Sequence, residues 1–248
     1  MSTPRTLTWW ESPRDLSILT ETRYNLNISF EVMNISEVKS THDREANVVF
    51  RSLAATSRAQ IQWQPKYALS FTQDLPPLDS IVHLHAPWQP CRKGWSYDLG
   101  ASGCFQEMVT FGPEESRDTL LVVNKYPAAL HFVVGMYSDD TQQYQPIFVD
   151  TRRTGLGEVA AYRPTENVRW WLDRPLVSGS FFDAGRNLGS VGSWSFKKPG
   201  VKDGSSDILT TFNMADGKWV ARNGSLPPDG SHGELCDSEI SQTSRQDA

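Results

Sequence analysis

The chain has 248 residues, of which 38% are hydrophobic and 21% charged, a mixture typical of a folded globular protein and unlike that of a disordered chain. Its formal net charge of −5, without an extended cluster of Lys and Arg, argues against a nucleic-acid partner. No run of about 18 apolar residues occurs, which excludes a membrane-spanning helix. The first residues also lack the apolar stretch of a signal peptide, so we expect a cytoplasmic protein without stable membrane insertion.

Helical patterns are scarce, and the first of them lies near the N-terminus. Ser12 followed by Pro13 offers an N-cap and a proline at the first helical position, which predicts a short helix over Ser12–Thr20. The segment Arg51–Gln60 is a second candidate. We therefore expect one or two short helices in a chain dominated by strands.

The clearest strand pattern covers Tyr24–Val32, where apolar residues occupy every second position. Successive side chains of a strand point to opposite faces, so this alternation predicts a half-buried strand whose polar face carries Asn25, Asn27, Ser29 and Glu31. A helix would scatter the same apolar groups around its circumference.

Further apolar or alternating segments, most of them separated by Gly, Pro, Asn and Asp, predict the remaining strands. They are Asn47–Leu53, Gln60–Trp63, Tyr67–Phe71, Ser80–His85, Cys104–Phe111, Thr119–Tyr126, Ala129–Tyr137, Pro146–Asp150, Glu158–Tyr162, Val168–Leu172, Ser193–Phe196, Ile208–Phe212 and Lys218–Ala221. Asp216-Gly217 lies between the last two and predicts a hairpin with a type I′ turn. Strands without interleaved helices indicate antiparallel pairing, so we expect an all-β fold, an antiparallel β-sandwich or barrel-like single domain.

The domain is expected to cover residues 1–221. From residue 222 to residue 248 the chain is rich in Gly, Ser, Pro and acidic residues and has few apolar ones. This composition predicts an acidic, mostly disordered tail.

His83 and His85 form the best metal-like pattern, because residues at i and i+2 of a strand share a face. No carboxylate follows at short spacing, and His131 is the only other mid-chain histidine that would complete a triad. We therefore assign no metal, and the competing interpretation is a hydrogen-bonded pair beside an aromatic loop. Nucleotide-binding glycine loops and nucleophile elbows are absent from the sequence, so we expect no cofactor. The odd count of three cysteines argues against a disulfide framework.

An aromatic and polar cluster is the most informative functional feature. Its aromatic members are Trp63, Tyr67, Phe71, Trp88, Trp95 and Tyr97, interleaved with amide, histidine and charged side chains. Arg169–Arg174 forms a second group, in which the consecutive indoles of Trp170 and Trp171 must face opposite sides of a strand, so at most one is expected in the core. Exposed indoles beside polar groups suit a sugar ring, an apolar natural product or a partner surface. Simple core packing is the competing interpretation.

Three functions fit these features, and an aromatic-lined pocket without cofactor motifs favours the first. It is a cofactor-free cyclase or isomerase, pericyclase-like and of the Diels–Alder type, acting on an apolar intermediate of secondary metabolism. The expected catalytic residues are His83, His85 and Asp98, and the expected ligand-binding residues are Trp63, Tyr67, Trp88, Trp95, Tyr97, Arg169, Trp170 and Trp171. The alternatives are a carbohydrate-binding, lectin-like protein and a membrane-active β protein, although no long Ser/Thr-rich amphipathic hairpin supports the last. The expected partner is a small apolar metabolite or a glycan, and exposed edge strands would allow a homodimer.

Overall fold

A computed structural model describes residues 3–35, 44–108, 117–196 and 206–224. Along them the elements are β1 (Arg5–Trp10), α1 (Pro13–Thr22), β2 (Asn25–Asn34), β3 (Arg44–Glu45), β4 (Arg51–Ala54), β5 (Arg58–Thr72), β6 (Gln89–Cys91), β7 (Ser96–Leu99), β8 (Phe105–Met108), β9 (Leu120–Asn124), β10 (His131–Ser138), β11 (Gln143–Val149), β12 (Val159–Asp173), β13 (Val191–Ser195), β14 (Asp207–Asn213) and β15 (Lys218–Asn223). The side chain of Ser12 accepts a hydrogen bond from the Asp15 backbone N–H at 3.2 Å. This N-cap confirms the first predicted helix, which is α1.

The strands form two curled sheets arranged as a sandwich with half-barrel character. Within the described residues, a seven-stranded sheet has the order β11-β10-β5-β1-β14-β15, with β6 paired to β5. An eight-stranded sheet has the order β3-β2-β12-β9-β7-β8, with β13 paired to β12 and β4 paired to β2. Antiparallel pairing prevails, while β1 with β14 and β7 with β9 are parallel. The predicted all-β sandwich class is confirmed.

Strand β5 is 15 residues long and was predicted as two separate strands. Gln64 pairs with Tyr137 and Tyr67 pairs with Met136, so the residues between Gln64 and Tyr67 have no counterpart on β10. A β-bulge of this kind adds residues to one strand only and bends it. The strand therefore continues through the interruption that the sequence pattern shows.

Strand β12 repeats this arrangement in the other sheet, where it also has 15 residues. Pro164 pairs with Val32 and Val168 with Phe30, so the three residues between Pro164 and Val168 lie opposite Glu31 alone. The two predicted strands are again one bulged strand. Both of the longest strands thus bend at an internal bulge.

The main core lies between the sheets, and a smaller one lies outside the eight-stranded sheet. Trp9 and Trp170 are 0% exposed in the main core. Trp171 faces the opposite side of β12 but is also 0% exposed, because it packs against Phe182 at 5.3 Å between ring centroids, with the 176–191 segment over it. The expectation that one of the consecutive indoles would be exposed was wrong, since a loop covers the outer face there.

Three other expectations change in the structure. The candidate helix Arg51–Gln60 is β4 and the beginning of β5, and Ser80–His85 forms only an isolated bridge at Ile81 instead of a strand. The hairpin at Asp216-Gly217 is confirmed as β14–β15, but four residues separate the paired ends and only Gly217 has a positive φ, 63°. A type I′ turn needs positive φ at both central residues, so the predicted turn type was wrong.

The C-terminal part of the domain reaches slightly further than expected. Strand β15 extends to Asn223, beyond the predicted boundary at residue 221. The remainder of the predicted tail, residues 225–248, lies outside the described residues. No helix in the described ranges has both the length and the apolar character needed to cross a membrane.

Candidate ligand-binding cleft

An open cleft of about 980 Å³ lies beside the bulges of β5 and β12. Three phenols, three cations and three carboxylates line it: Tyr67, Tyr97 and Tyr144, Lys66, Arg92 and Lys93, and Glu107, Asp118 and Glu166. Pro65, Gln89, Pro90 and Cys91 complete the lining. Pockets for small organic ligands commonly have volumes of about 300–1,000 Å³, so the cleft is large enough for one.

The two bulges supply part of the cleft wall. Pro65 and Lys66 come from the bulge in β5, and Glu166 comes from the bulge in β12. Proline has no N–H for the ladder, which gives a local reason for β5 to bulge at Pro65. Bulges redirect side chains and are common beside active sites, and here they direct a cation and a carboxylate to the same opening.

Strand β6 supplies another part of the wall, and its cysteine is chemically quiet. The register places Cys91 opposite Tyr67. Burial raises the pKa of the Cys91 thiol far above neutrality, so the group stays protonated, and a thiol is a poor nucleophile compared with a thiolate. Nucleophilic catalysis by Cys91 is therefore disfavoured.

Tyr67 lines the cleft and carries a hydroxyl group, although the residue is only 5% exposed. Burial raises the pKa of this phenol, with a further increase from the Glu166 carboxylate and a decrease from the Arg5 guanidinium. Its hydroxyl has no hydrogen-bond partner in the described chain, yet it does not belong to the fully buried atoms without a partner. The Tyr67 hydroxyl therefore keeps some accessible surface, and the raised pKa keeps it a neutral O–H donor at physiological pH.

Tyr97 has a different role in the same wall. Its side chain is 0% exposed, and burial raises the pKa of its phenol to about 12. The Tyr97 hydroxyl accepts a hydrogen bond of 2.8 Å from the backbone N–H of Arg92. Tyr97 thus holds the turn after β6 in place, and that turn carries Arg92 and Lys93 into the cleft.

Fixed charges surround the ring of Tyr67. The Lys93 ammonium lies 5.0 Å from the ring centroid and donates a hydrogen bond of 2.9 Å to the Pro164 carbonyl. Glu166 forms an ion pair with Arg5. A cation held beside a phenol donor stabilises negative charge that develops on a ligand oxygen bound to that donor.

No protein-family model matches the chain. No curated protein or solved structure is significantly similar to it either. The function is therefore inferred from the chemistry of the cleft.

The structure brings part of the predicted aromatic cluster together at the cleft. Both predicted tyrosines line it. Trp95 lies beside it, with the Arg92 guanidinium carbon 5.6 Å from its ring centroid. Trp88 lies near the cleft residue Tyr144, at 6.4 Å between ring centroids. The two indoles support the wall and are not among the residues that line the opening.

The other predicted ligand-binding residues lie elsewhere. Trp63 belongs to the main core and is 2% exposed. Trp170 and Trp171 are covered on the two faces of β12, and Arg169 forms an ion pair of 3.8 Å with Glu31. The second aromatic group is therefore not part of the cleft.

The predicted catalytic residues also lie outside the cleft lining. His83 and His85 are exposed in a segment without regular strand structure, so the shared strand face on which their pairing depended is absent. Asp98 is buried, pairs with Lys125, and points away from the cleft because it follows Tyr97 in a strand. Within the described ranges, no group of three or more His, Cys, Asp or Glu side chains is arranged to hold a metal ion.

Tyr144 and Glu166 were not predicted as site residues, and Lys66 was expected only as one of the charged residues interleaved in the aromatic cluster. A usable signal was present, because Pro65 and Pro164 each interrupt an alternating strand pattern. Proline inside a strand indicates an edge or a bulge. Two such interruptions would have marked the two bulges that border the cleft.

Proposed function

We propose that the protein binds a small, largely apolar metabolite with a carbonyl group in this cleft and acts on it as a cofactor-free cyclase or isomerase. The observation that supports this most is the Tyr67 hydroxyl, which has no hydrogen-bond partner in the described chain and belongs to a residue that lines a cleft of about 980 Å³. The rings of Tyr67 and Tyr144 and the side chains of Pro65 and Pro90 offer apolar surface for the rest of the molecule.

Tyr67 would act by polarising the substrate carbonyl. A hydrogen bond from its hydroxyl withdraws electron density from the conjugated system and stabilises the negative charge that develops on the oxygen. A donor placed where such charge develops contributes about 10²–10³ to the rate. Because its pKa is raised, the phenol keeps its proton and polarises the carbonyl without full proton transfer.

The cleft walls would contribute by holding a flexible substrate in a folded conformer. A linear molecule loses internal rotational entropy when it cyclises, and this loss adds to the activation free energy. A site that holds the two reactive ends at van der Waals distance removes this entropy on binding, before the reaction step. The hydrogen bond from the Arg92 N–H to Tyr97 and the one from Lys93 to Pro164 keep two walls in fixed positions. Neither a metal nor a nucleophile is needed for this chemistry.

The test uses linear polyenes that end in an α,β-unsaturated ketone, with ring formation followed by mass-resolved chromatography. We expect Tyr67→Phe to lower kcat about 100-fold with little change in KM, because it removes one transition-state donor and keeps the ring. The matched control is Tyr24→Phe, since Tyr24 is 42% exposed and outside the cleft lining. Full activity of Tyr67→Phe, or no conversion and no binding of any polyene, would refute the proposal.

Carbohydrate binding is the second candidate, and the polar part of the cleft favours it. Gln89, Glu107 and Asp118 line the same opening as the half-buried ring of Tyr144. An aromatic face beside amide and carboxylate groups suits a sugar ring. Glycan-array binding that is lost in Tyr144→Ala, without turnover of the polyenes, would select this function instead.

A further inference from the structure

A small interior space lies directly behind the cleft. Its volume is about 10 Å³, and its apolar wall contains Phe30, Trp63, Met136 and Phe196. Pro65, Tyr67 and Glu166 border both this space and the cleft. The two spaces therefore share three wall residues, and the inner one is lined mainly by apolar side chains, with Arg5, Thr165 and Glu166 at its edge.

The ion pair between Arg5 and Glu166 lies at the boundary. Arg5 is the first residue of β1 in the seven-stranded sheet, and Glu166 lies in the bulge of β12 in the eight-stranded sheet. The pair therefore bridges the two sheets beside the bulge of β12. The two side chains are 17% and 18% exposed, so solvent reaches this contact.

A continuous series of aromatic contacts leads inward from this ion pair. The guanidinium carbon of Arg5 lies 4.2 Å from the centroid of the Phe196 ring. Phe196 contacts Trp63 at 5.9 Å between centroids, and Trp63 contacts Phe30 at 5.2 Å. Met136 completes the wall with a flexible thioether side chain, the kind that adapts to an entering apolar group.

We infer that the space behind the Arg5–Glu166 pair is a second, apolar subsite that receives an alkyl chain or flat ring of the molecule bound in the cleft, and that the ion pair is its latch. When the pair separates, the sheets lose a cross-link beside the bulge of β12, and rotation of Met136 and Phe196 opens the space. The inference rests on the proposed function, because the carbonyl end of the same molecule is held at Tyr67. The substrate class is thereby narrowed to carbonyl compounds with an apolar tail.

The latch is tested without any ligand, by acrylamide quenching of tryptophan fluorescence. The contribution of Trp63 is the difference in quenching between each protein and the same protein with Trp63→Phe. Glu166→Gln keeps the side-chain size and removes the charge, and we expect the quenching constant of Trp63 to rise at least about twofold. The charge-exchanged Arg5→Glu, Glu166→Arg protein should return it towards the original value. Unchanged quenching in Glu166→Gln would overturn the latch.

The subsite is tested with 2-alkanones from 2-butanone to 2-undecanone, with binding measured calorimetrically. We expect 2-undecanone to bind at least tenfold more tightly than 2-butanone. In Met136→Phe, which fills the interior space with a stiffer group, this gain should disappear while 2-butanone still binds. Met214→Phe, in the β14–β15 turn, is the matched control and should keep the gain.

The outcomes separate the two proposals. If the affinity of Met136→Phe rises with alkanone chain length as much as that of the unaltered protein, the subsite is refuted and the carbonyl site of the proposed function stays intact. Absence of binding for every 2-alkanone would refute the carbonyl site and the subsite together.

Discussion

The segment from Trp63 to Tyr97 and the segment Arg169–Arg174 both contain aromatic residues close to charged ones, but the structure places them in different surroundings. The first borders an open cleft of about 980 Å³. In the second, Trp170 is covered by the main core and Trp171 by the 176–191 segment with Phe182. Coverage by distant parts of the chain, not local composition, therefore decides which aromatic cluster is available to a ligand.

The largest expected effect tests the covered cluster. Trp171→Ala should lower the free energy of unfolding by about 3–5 kcal/mol, because it empties a site that is 0% exposed and leaves a cavity. Tyr67→Phe, on the cleft side, should change it by less than about 1 kcal/mol, because the hydroxyl it removes has no partner in the described chain. Urea denaturation of both variants measures the difference. Equal losses would contradict the distinction between a covered cluster and an open one.

The second effect concerns a covered carboxylate, Glu11, which is 1% exposed. Burial raises the pKa of the Glu11 carboxyl group from 4.5 to about 7. Hydrogen bonds from the Trp9 indole and from the Phe212 backbone N–H, the latter at 2.8 Å, lower this pKa but do not outweigh the effect of burial. Between these pH values the folded protein holds a proton on Glu11 that the unfolded chain has released, so the contribution of Glu11 to stability is greatest below pH 4.5 and falls as the pH rises to 7. We expect a loss of up to about 3 kcal/mol over this window.

Glu11→Gln tests this directly, since the amide oxygen accepts the same two hydrogen bonds and cannot ionise. Its unfolding free energy should change much less between pH 4.5 and pH 7 than that of the unaltered protein. Glu107→Gln, at an exposed cleft carboxylate, is the control and should keep the full pH dependence. A control that flattens the curve as strongly as Glu11→Gln would rule out Glu11 as its source.

The third and smallest effect tests how tightly the covered cluster is packed. A Cβ atom on Gly192 would lie 2.2 Å from Nε1 of Trp170, so Gly192→Ala should cost about 1–3 kcal/mol of stability. At Gly155 the nearest atom, in the Glu158 carboxyl group, is 3.4 Å from such a Cβ, so Gly155→Ala should cost clearly less. Thermal denaturation of the two variants compares them. A smaller loss at Gly192 would show that the indole can move aside.

Local pattern predicted the fold class well because strands and caps depend on near neighbours. Alternation over Tyr24–Val32 corresponds to β2 (Asn25–Asn34), and Ser12 caps α1 as expected. The predicted polar outer face of β2 was wrong in part, because Asn27 and Ser29 are 0% and 1% exposed. The two long strands were divided because proline and polar residues at the bulges interrupt the alternation. Only the pairing with β10 and β2 shows that β5 and β12 continue.

The site was less predictable, because it is assembled from contacts between separate strands. Tyr67 could be named from its aromatic neighbourhood, but its pairing with Cys91 and its proximity to Glu166 depend on register and on a bulge in the other sheet. His83 and His85 were selected on the assumption of a strand that does not form. Trp171 was misjudged because the sequence of β12 does not show that Phe182 covers it.

The position of β1 has a consequence for biosynthesis. This strand lies between β5 and β14, and its parallel pairing with β14 joins Thr6–Trp9 to Asp207–Thr210. While the ribosome is still translating the middle of the chain, β1 has only one of its two neighbours, and unpaired strand edges attract other chains. The seven-stranded sheet therefore cannot be completed before β14 has been synthesised, and a nascent chain stalled before Asp207 would expose an edge of the first strand to chaperones and to aggregation.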